Sequence, residues 1–249
     1  MEPYYYLWRS RRFDIHRCAR CTHQFVYPAI TREDQALIYS DAYFSEGGDW
    51  ACGHFDGVGY LEAEKSLRRE ARDVLGMLPV RQGRLLDIGC AGGVFLDEAR
   101  AYGFDVVGIE PNATMARTAR ERFRLCVENS LIEDIPVDRW NAEFDVITAL
   151  DCLEHIPDAR GAMERLSRFL RPGGYLLIRG PLANSTLGRL KETVRRVLRL
   201  KKQLPGYPLD VNVFNKRSLT ELLRSCGLEP VSWIRETSDF ANLLARKRG

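Results

Sequence analysis

From residue 83 to about residue 180, apolar positions recur with two alternating periods. Leu85, Leu86 and Ile88 form a short apolar run that stops at Gly89, and Phe95, Leu96 and Ala99 follow at helical spacing. Continuing this way, the pattern predicts strand 85–88, helix 93–102, strand 104–109, helix 113–122, strand 124–128, strand 144–150, helix 158–170 and strand 175–179. Strands alternating with helices imply a parallel sheet covered by helices. Further on, a helix near 218–226 precedes two strand-like runs, 228–234 and 239–245, whose short connection allows an antiparallel hairpin. Upstream, Leu61, Ala63, Leu67, Ala71, Val74, Leu75 and Leu78 recur at helical spacing, with Lys65, Arg68, Arg69 and Arg72 on other faces. The stretch from about Thr31 to Leu78 therefore reads as helical.

The first strand–turn–helix–strand unit, Arg84 to Asn112, carries the strongest chemical signal. Gly89, Gly92 and Gly93 lack Cβ atoms, so the turn allows backbone to approach a ligand closely at the start of a helix. Glu110 closes the second strand, roughly 20 residues past the glycines, where a carboxylate accepts from both hydroxyls of an adenosine ribose. A dinucleotide fingerprint needs G-x-G-x-x-G, but Ala91 and Val94 stand at its third and sixth positions. Asp87 gives D-x-G-x-A-G-G instead, a carboxylate that would repel a pyrophosphate and suits the ammonium of a methionine moiety. The turn thus favours S-adenosylmethionine over a nicotinamide dinucleotide.

These residues resemble the class I S-adenosylmethionine-dependent methyltransferases, in particular the small-molecule group of ubiquinone and sugar-pathway enzymes. F-D-V-I-T-A-L-D-C-L-E-H-I-P-D, Phe144 to Asp158, is similar to the family's fourth strand and following loop, and L-R-P-G-G-Y-L-L-I-R-G-P, Leu170 to Pro181, to its turn into the fifth. Y-S-D-A-Y-F, Tyr39 to Phe44, resembles an aromatic lid segment. The resemblance covers roughly residues 18–249. It implies an α/β, Rossmann-like, seven-stranded sheet, mostly parallel with an antiparallel last strand, plus an N-terminal helical extension. It also implies a methyltransferase for a small-molecule acceptor, a hydroxyl of a sugar, lipid-linked or secondary-metabolic compound; a catalytically inactive binding module of the same fold is the alternative.

Ligands in such sheets bind beyond the carboxyl ends of the strands. Asp87, Gly89, Cys90, Ala91 and Gly93 are accordingly expected at the methionine end and Glu110 at the ribose. Ser130 to Glu133 is expected beside adenine, with Ile132 as an apolar contact because Leu131 and Ile132 replace the Asp-Ala pair of many relatives. Asp151 faces the cofactor's amino group or the substrate, or else caps the segment behind it. His155 is placed to take a proton from a hydroxyl as general base, oriented by a carboxylate, or else fixes its loop by hydrogen bonds. Tyr39, Tyr43, Phe44 and Tyr60 form either a lid or plain core.

Composition narrows the remaining possibilities. A net charge of +3 with interleaved signs over 249 residues gives no nucleic-acid groove. Seven cysteines without a disulfide-like framework fit a reducing, cytoplasmic setting. Cys18 and Cys21 resemble only the second knuckle of a zinc ribbon. Since structural zinc needs four ligands, residues 1–35 read as a ribbon remnant without metal, or as two ordinary buried thiols. Residues 36–80 read as a helical cap and 81–249 as the catalytic core. That core is interrupted at about 183–206 by a basic amphipathic segment, in which Leu187, Leu190, Val194, Val197 and Leu198 share a face. Residues 187–202 suit peripheral contact with an anionic membrane, a grip on a phosphorylated substrate, or a lid packed on the protein itself.

Overall fold

A computed structural model describes residues 5–8, 10–41, 63–182, 210–234 and 240–249. The basic segment and Tyr43, Phe44 and Tyr60 lie outside these residues. The core elements are β4 (Gly83–Ile88), α3 (Val94–Tyr102), β5 (Phe104–Ile109), α4 (Ala113–Phe123), β6 (Cys126–Glu128), β7 (Phe144–Leu150), α5 (Ala159–Phe169), β8 (Leu170–Pro181), α6 (Lys216–Ser225), β10 (Leu228–Ile234) and β11 (Phe240–Lys247). They build a seven-stranded sheet in the order β10-β11-β8-β7-β4-β5-β6. β4, β5, β6, β7 and β8 run parallel. The last strand, β11, inserts antiparallel between β8 and β10, as expected.

The period-2 pattern sorts side chains to two faces. Leu86 and Ile88 point to the layer built with α5 and α6, while Leu85 points to the layer built with α2 (Glu64–Leu75), α3 and α4. On the first face the Trp140 ring meets Phe144 and Phe169 edge-on, each at 5.4 Å between centroids. Such pairs add about 0.5–1.5 kcal/mol each beyond the area they bury. On the second face, Gly93 starts α3 at φ +87, and a Cβ there would fall 2.6 Å from Leu125 Cδ1 and 2.9 Å from the Ala119 Cβ. Both the left-handed backbone and the close approach of α4 demand glycine.

β8 begins earlier than its apolar run suggests. Leu170 pairs with Phe144, the register then shifts, and pairing resumes at Tyr175 with Val146. The larger departure is at the N-terminus. The extension is not simply helical: β1 (Tyr5–Trp8), β2 (Arg11–Arg17) and β3 (Gln24–Tyr27) form an antiparallel meander, and only then comes α1 (Arg32–Ile38). A fourth strand, β9 (Asn212–Val213), joins β3 from the far end of the chain. Trp8, Phe13, Val26, Ile30, Ile38 and Val211 close a small separate core.

Cys18 and Cys21 occupy the β2–β3 turn, where Cys18 N–H donates to His23 O and Thr22 N–H to Cys18 O. Both thiols are half-exposed rather than buried, because this turn sits at the rim of the meander and not over its core. Thr22 takes φ +61 within this turn, a left-handed conformation uncommon for a β-branched residue. Among the described residues no helix is long and apolar enough to cross a membrane.

Candidate active site

A cavity of ≈300 Å³ opens beyond the carboxyl ends of β4, β5 and β7. Its walls come from the Gly89 turn, the Glu110 end of β5, the Ser130–Glu133 segment, the Asp151–Ile156 loop, and Gln35 and Tyr39 from the N-terminal extension. A smaller chamber of ≈120 Å³ lies between the glycine turn and α2, with Asp87 in its wall. The two share Gly89, Ala91, Leu150 and Arg179.

Of the residues expected to bind the cofactor, Gly89, Ala91, Glu110, Ile132 and Asp151 line the larger cavity, and Asp87 and Cys90 the smaller. Gly93 lines neither, since its role is the tight contact with Leu125 and Ala119. The turn also differs from a cradle of unused donors. Gly89 and Cys90 N–H groups donate to Ile109 O, Gly93 N–H to Cys90 O, and Ala91 N–H to Glu110 Oε2 at 2.8 Å. Glu110 Oε1 accepts from Asn112 N–H at 2.8 Å, so the carboxylate is fixed at both oxygens before any ligand arrives.

Burial of Asp87 and Glu110 raises each carboxyl to about 7. Donation from Thr148 Oγ1 to Asp87 at 2.6 Å, and from the Asn112 and Ala91 N–H groups to Glu110, pulls back toward ionisation. Between roughly pH 4 and 7 the folded chain therefore holds protons that the unfolded chain has released, and the stability they confer is lost as pH rises through about 7. The ligand-free protein is expected to melt at lower temperature at pH 8 than at pH 5.5, and Asp87→Asn to flatten that slope. A slope identical in the variant, measured by differential scanning fluorimetry, would exclude Asp87 as its source.

Asp151 does not cap the short 3₁₀ turn Leu153–His155, which has no side-chain cap. Its Oδ2 accepts from Arg179 Nε at 2.7 Å instead, while Oδ1 is buried without a partner. Arg179 also pairs with Glu70 of α2. His155 stands on the larger cavity with Nδ1 3.3 Å from Asp210 Oδ1. Asn212 ties this loop to the meander, donating from Nδ2 to Ile156 O at 2.7 Å and meeting His23 Nε2 through Oδ1 at 2.9 Å. Tyr39, from the predicted lid, donates its hydroxyl toward His155 O at 3.5 Å, and burial holds its phenol far above the usual range.

Arg179, Asp210, Gln35 and Asn212 were not singled out by sequence. Of these only Arg179 carried a signal, a lone charge ending an apolar strand. Glu154, His155 and Asp210 bring one potential ligand atom each within 4.8 Å of one another, and Glu154 is buried and held well above the ordinary carboxylate range by that burial. Among the described residues this is the one group of three with ligand types suited to a divalent cation, and Cys18 and Cys21 gain no third partner there.

A family model described as a methyltransferase domain matches residues 60–232. The chain belongs to the class I S-adenosylmethionine-dependent methyltransferases. The methyltransferase is similar to a ubiquinone biosynthesis O-methyltransferase of Cereibacter sphaeroides, 30% identical over 64% of this chain and 66% of that one. It is also similar to a 27-O-demethylrifamycin SV methyltransferase of Amycolatopsis mediterranei, 32% identical over 70% of this chain and 66% of that one. It thus spans slightly under two thirds of the length of these relatives. The crystal structure of a 1,6-didemethyltoxoflavin-N1-methyltransferase from Burkholderia thailandensis shares the fold at a TM-score of 0.59, with 19% identity and full coverage of both chains.

Proposed function

We propose that this methyltransferase transfers a methyl group from S-adenosylmethionine to a hydroxyl of a small-molecule acceptor, such as a sugar, a lipid-linked or a secondary-metabolic compound. The observation that carries this reading is one cavity with a ribose-type carboxylate, Glu110, in one wall and a histidine–carboxylate pair, His155 and Asp210, in another. The cofactor fits the residues present: its size suits a cavity of ≈300 Å³, and Asp151 offers a buried oxygen that lacks a donor. Glu110 would accept from the ribose hydroxyls, Ser130, Leu131 and Ile132 would flank adenine, and Gly89 and Ala91 would border the methionyl end.

The bound cofactor supplies an electrophilic methyl on a sulfonium. The chain's own work is alignment and proton removal. Apolar walls at Leu150 and Ile156 would exclude water and hold the acceptor in line. His155, with Nδ1 turned to Asp210, takes the hydroxyl proton as the oxygen becomes a nucleophile. The ubiquinone and rifamycin relatives, both named for transfer to oxygen, favour a hydroxyl acceptor.

Incubating the purified chain with methyl-labelled S-adenosylmethionine and a panel of sugar, phenol and lipid-linked alcohols tests the reading. Label incorporated at oxygen is the expected result. Cofactor binding without transfer to any acceptor would instead mark a binding module of the same fold.

A further inference from the structure

His23 ends the β2–β3 turn in surroundings that stability alone does not explain. Its ring lies 4.7 Å from Phe214 and 6.1 Å from Phe25 between centroids, and burial holds the imidazole below its ordinary range, so it is neutral near pH 7. Asn212 gives its amide N–H to Ile156 O at 2.7 Å, so its Oδ1 meets His23 Nε2 as an acceptor and the ring proton sits on Nε2. His23 Nδ1 is then a bare acceptor, buried with no hydrogen-bond partner. Such a group is costly, and a phenyl ring in the same stack would not carry it. What the imidazole supplies and a phenyl ring lacks is the Nε2–H donor to Asn212.

That donor acts on the strand that brings Asp210 to the site. β9 pairs with β3 through Asn212–Phe25 and Val213–Gln24, and Val26 N–H donates to Val211 O at 3.1 Å, which carries the pairing back toward Asp210. Asp210 and Asn212 are two residues apart and so share a side of the extended chain. They meet consecutive residues at the end of the Leu153–His155 turn: Asp210 Oδ1 lies 3.3 Å from His155 Nδ1, and Asn212 Nδ2 donates to Ile156 O. A slip of one residue between β3 and β9 would turn both side chains away from that turn. Two anchors oppose the slip. Asn215 Nδ2 donates to Cys21 O at 3.0 Å and Thr22 Oγ1 at 2.9 Å, and His23 donates to Asn212.

We propose that His23 is a positioning residue for methyl transfer: by holding Asn212 it fixes the register of β9 on β3, and thereby sets Asp210 against His155. This rests on the assignment of His155 as base made above. It makes the N-terminal meander, which lies outside the matched methyltransferase domain at 60–232, a working part of the acceptor side of the site.

The experiment is long-range proton–nitrogen correlation spectroscopy at pH 8 of the full chain labelled with nitrogen-15. It reads the tautomer of each of the four histidines, with His155 assigned by the signals lost in His155→Ala. Wild type is expected to show His155 with its proton on Nδ1, facing Asp210. His23→Phe keeps the ring stack and loses the donor; it is expected to melt within about 4 °C of wild type and to show both tautomers at His155. His23→Gln, which returns an N–H at the place of Nε2, should restore the single tautomer. With the alcohol of the panel above that takes label, kcat should fall about 10- to 100-fold in His23→Phe and largely recover in His23→Gln, while S-adenosylhomocysteine affinity stays within about threefold. A wild-type His155 protonated on Nε2, or an unchanged His155 tautomer in folded His23→Phe, would overturn the proposal and leave the base reading standing. Turnover unchanged in His155→Ala would remove that reading and the proposal with it. Should His23→Phe fail to fold, Asn212→Val, which suits a strand and lacks both polar groups, decides by the same spectrum.

Discussion

Replacing His155 with alanine is expected to lower kcat for a hydroxyl acceptor by about 10²- to 10⁴-fold, the usual contribution of a positioned general base. Affinity for S-adenosylhomocysteine should stay within about threefold, because a lost base acts on the chemical step and not on cofactor contacts. The expectation follows from placement: His155 lines the cavity, and its Nδ1 lies 3.3 Å from Asp210 Oδ1, which fixes the ring and leaves proton uptake to Nε2. Asp210→Asn should produce a smaller loss of the same kind. Single-turnover assays with saturating cofactor separate the step. Turnover unchanged in His155→Ala would assign the histidine to holding its loop, for which Tyr39 and Asn212 already provide bonds at His155 O and Ile156 O.

Glu110→Ala is expected to weaken S-adenosylhomocysteine binding by roughly 10²- to 10³-fold. Two hydrogen bonds from ribose hydroxyls to a carboxylate contribute about 1.5–3 kcal/mol each, and 1.4 kcal/mol is a factor of ten. The lower part of that range applies near neutrality, because burial raises Glu110 to about 7 and part of the population is protonated. For the same reason affinity in the wild-type chain should rise as pH increases through about 7. The alanine also strands both the Ala91 and Asn112 N–H groups, whereas Glu110→Gln strands one of them and keeps an acceptor for the other, and is expected to bind with intermediate affinity. Titration calorimetry at pH 6 and 8 reads both effects. Affinity in Glu110→Ala equal to wild type would move the ribose elsewhere in the cavity.

The parts of this architecture that were legible in the sequence are those whose determinants are local. Strands 104–109, 144–150 and 228–234 have the predicted limits because each apolar run ends at a turn residue or a change of period. The glycine turn and Glu110 were likewise visible as a spacing. The N-terminal meander was not, because β3 finds its outer partner at Asn212 and Val213 and little in residues 11–17 alternates, with Phe13 alone buried. Asp210 and Asn212 act on a loop more than fifty residues away in sequence, through contacts no periodicity encodes. At Gly93 the spacing suggested a ligand cradle, while the packing requirement it also meets, close approach of Leu125 and Ala119, could not be read from the sequence.

The late arrival of β9 also sets an order of events during synthesis. The meander emerges first, but its fourth strand, and the Asp210 that turns His155, leave the ribosome only after the parallel strands β4 to β8. The wall with Gly89 and Glu110, made by β4, β5 and their turns, is therefore synthesised before the carboxylate that faces His155. A chain stalled within residues 183–206 would lack both Asp210 and β11, the strand that pairs with β8, so one late stretch of chain completes the sheet and supplies the carboxylate that faces His155.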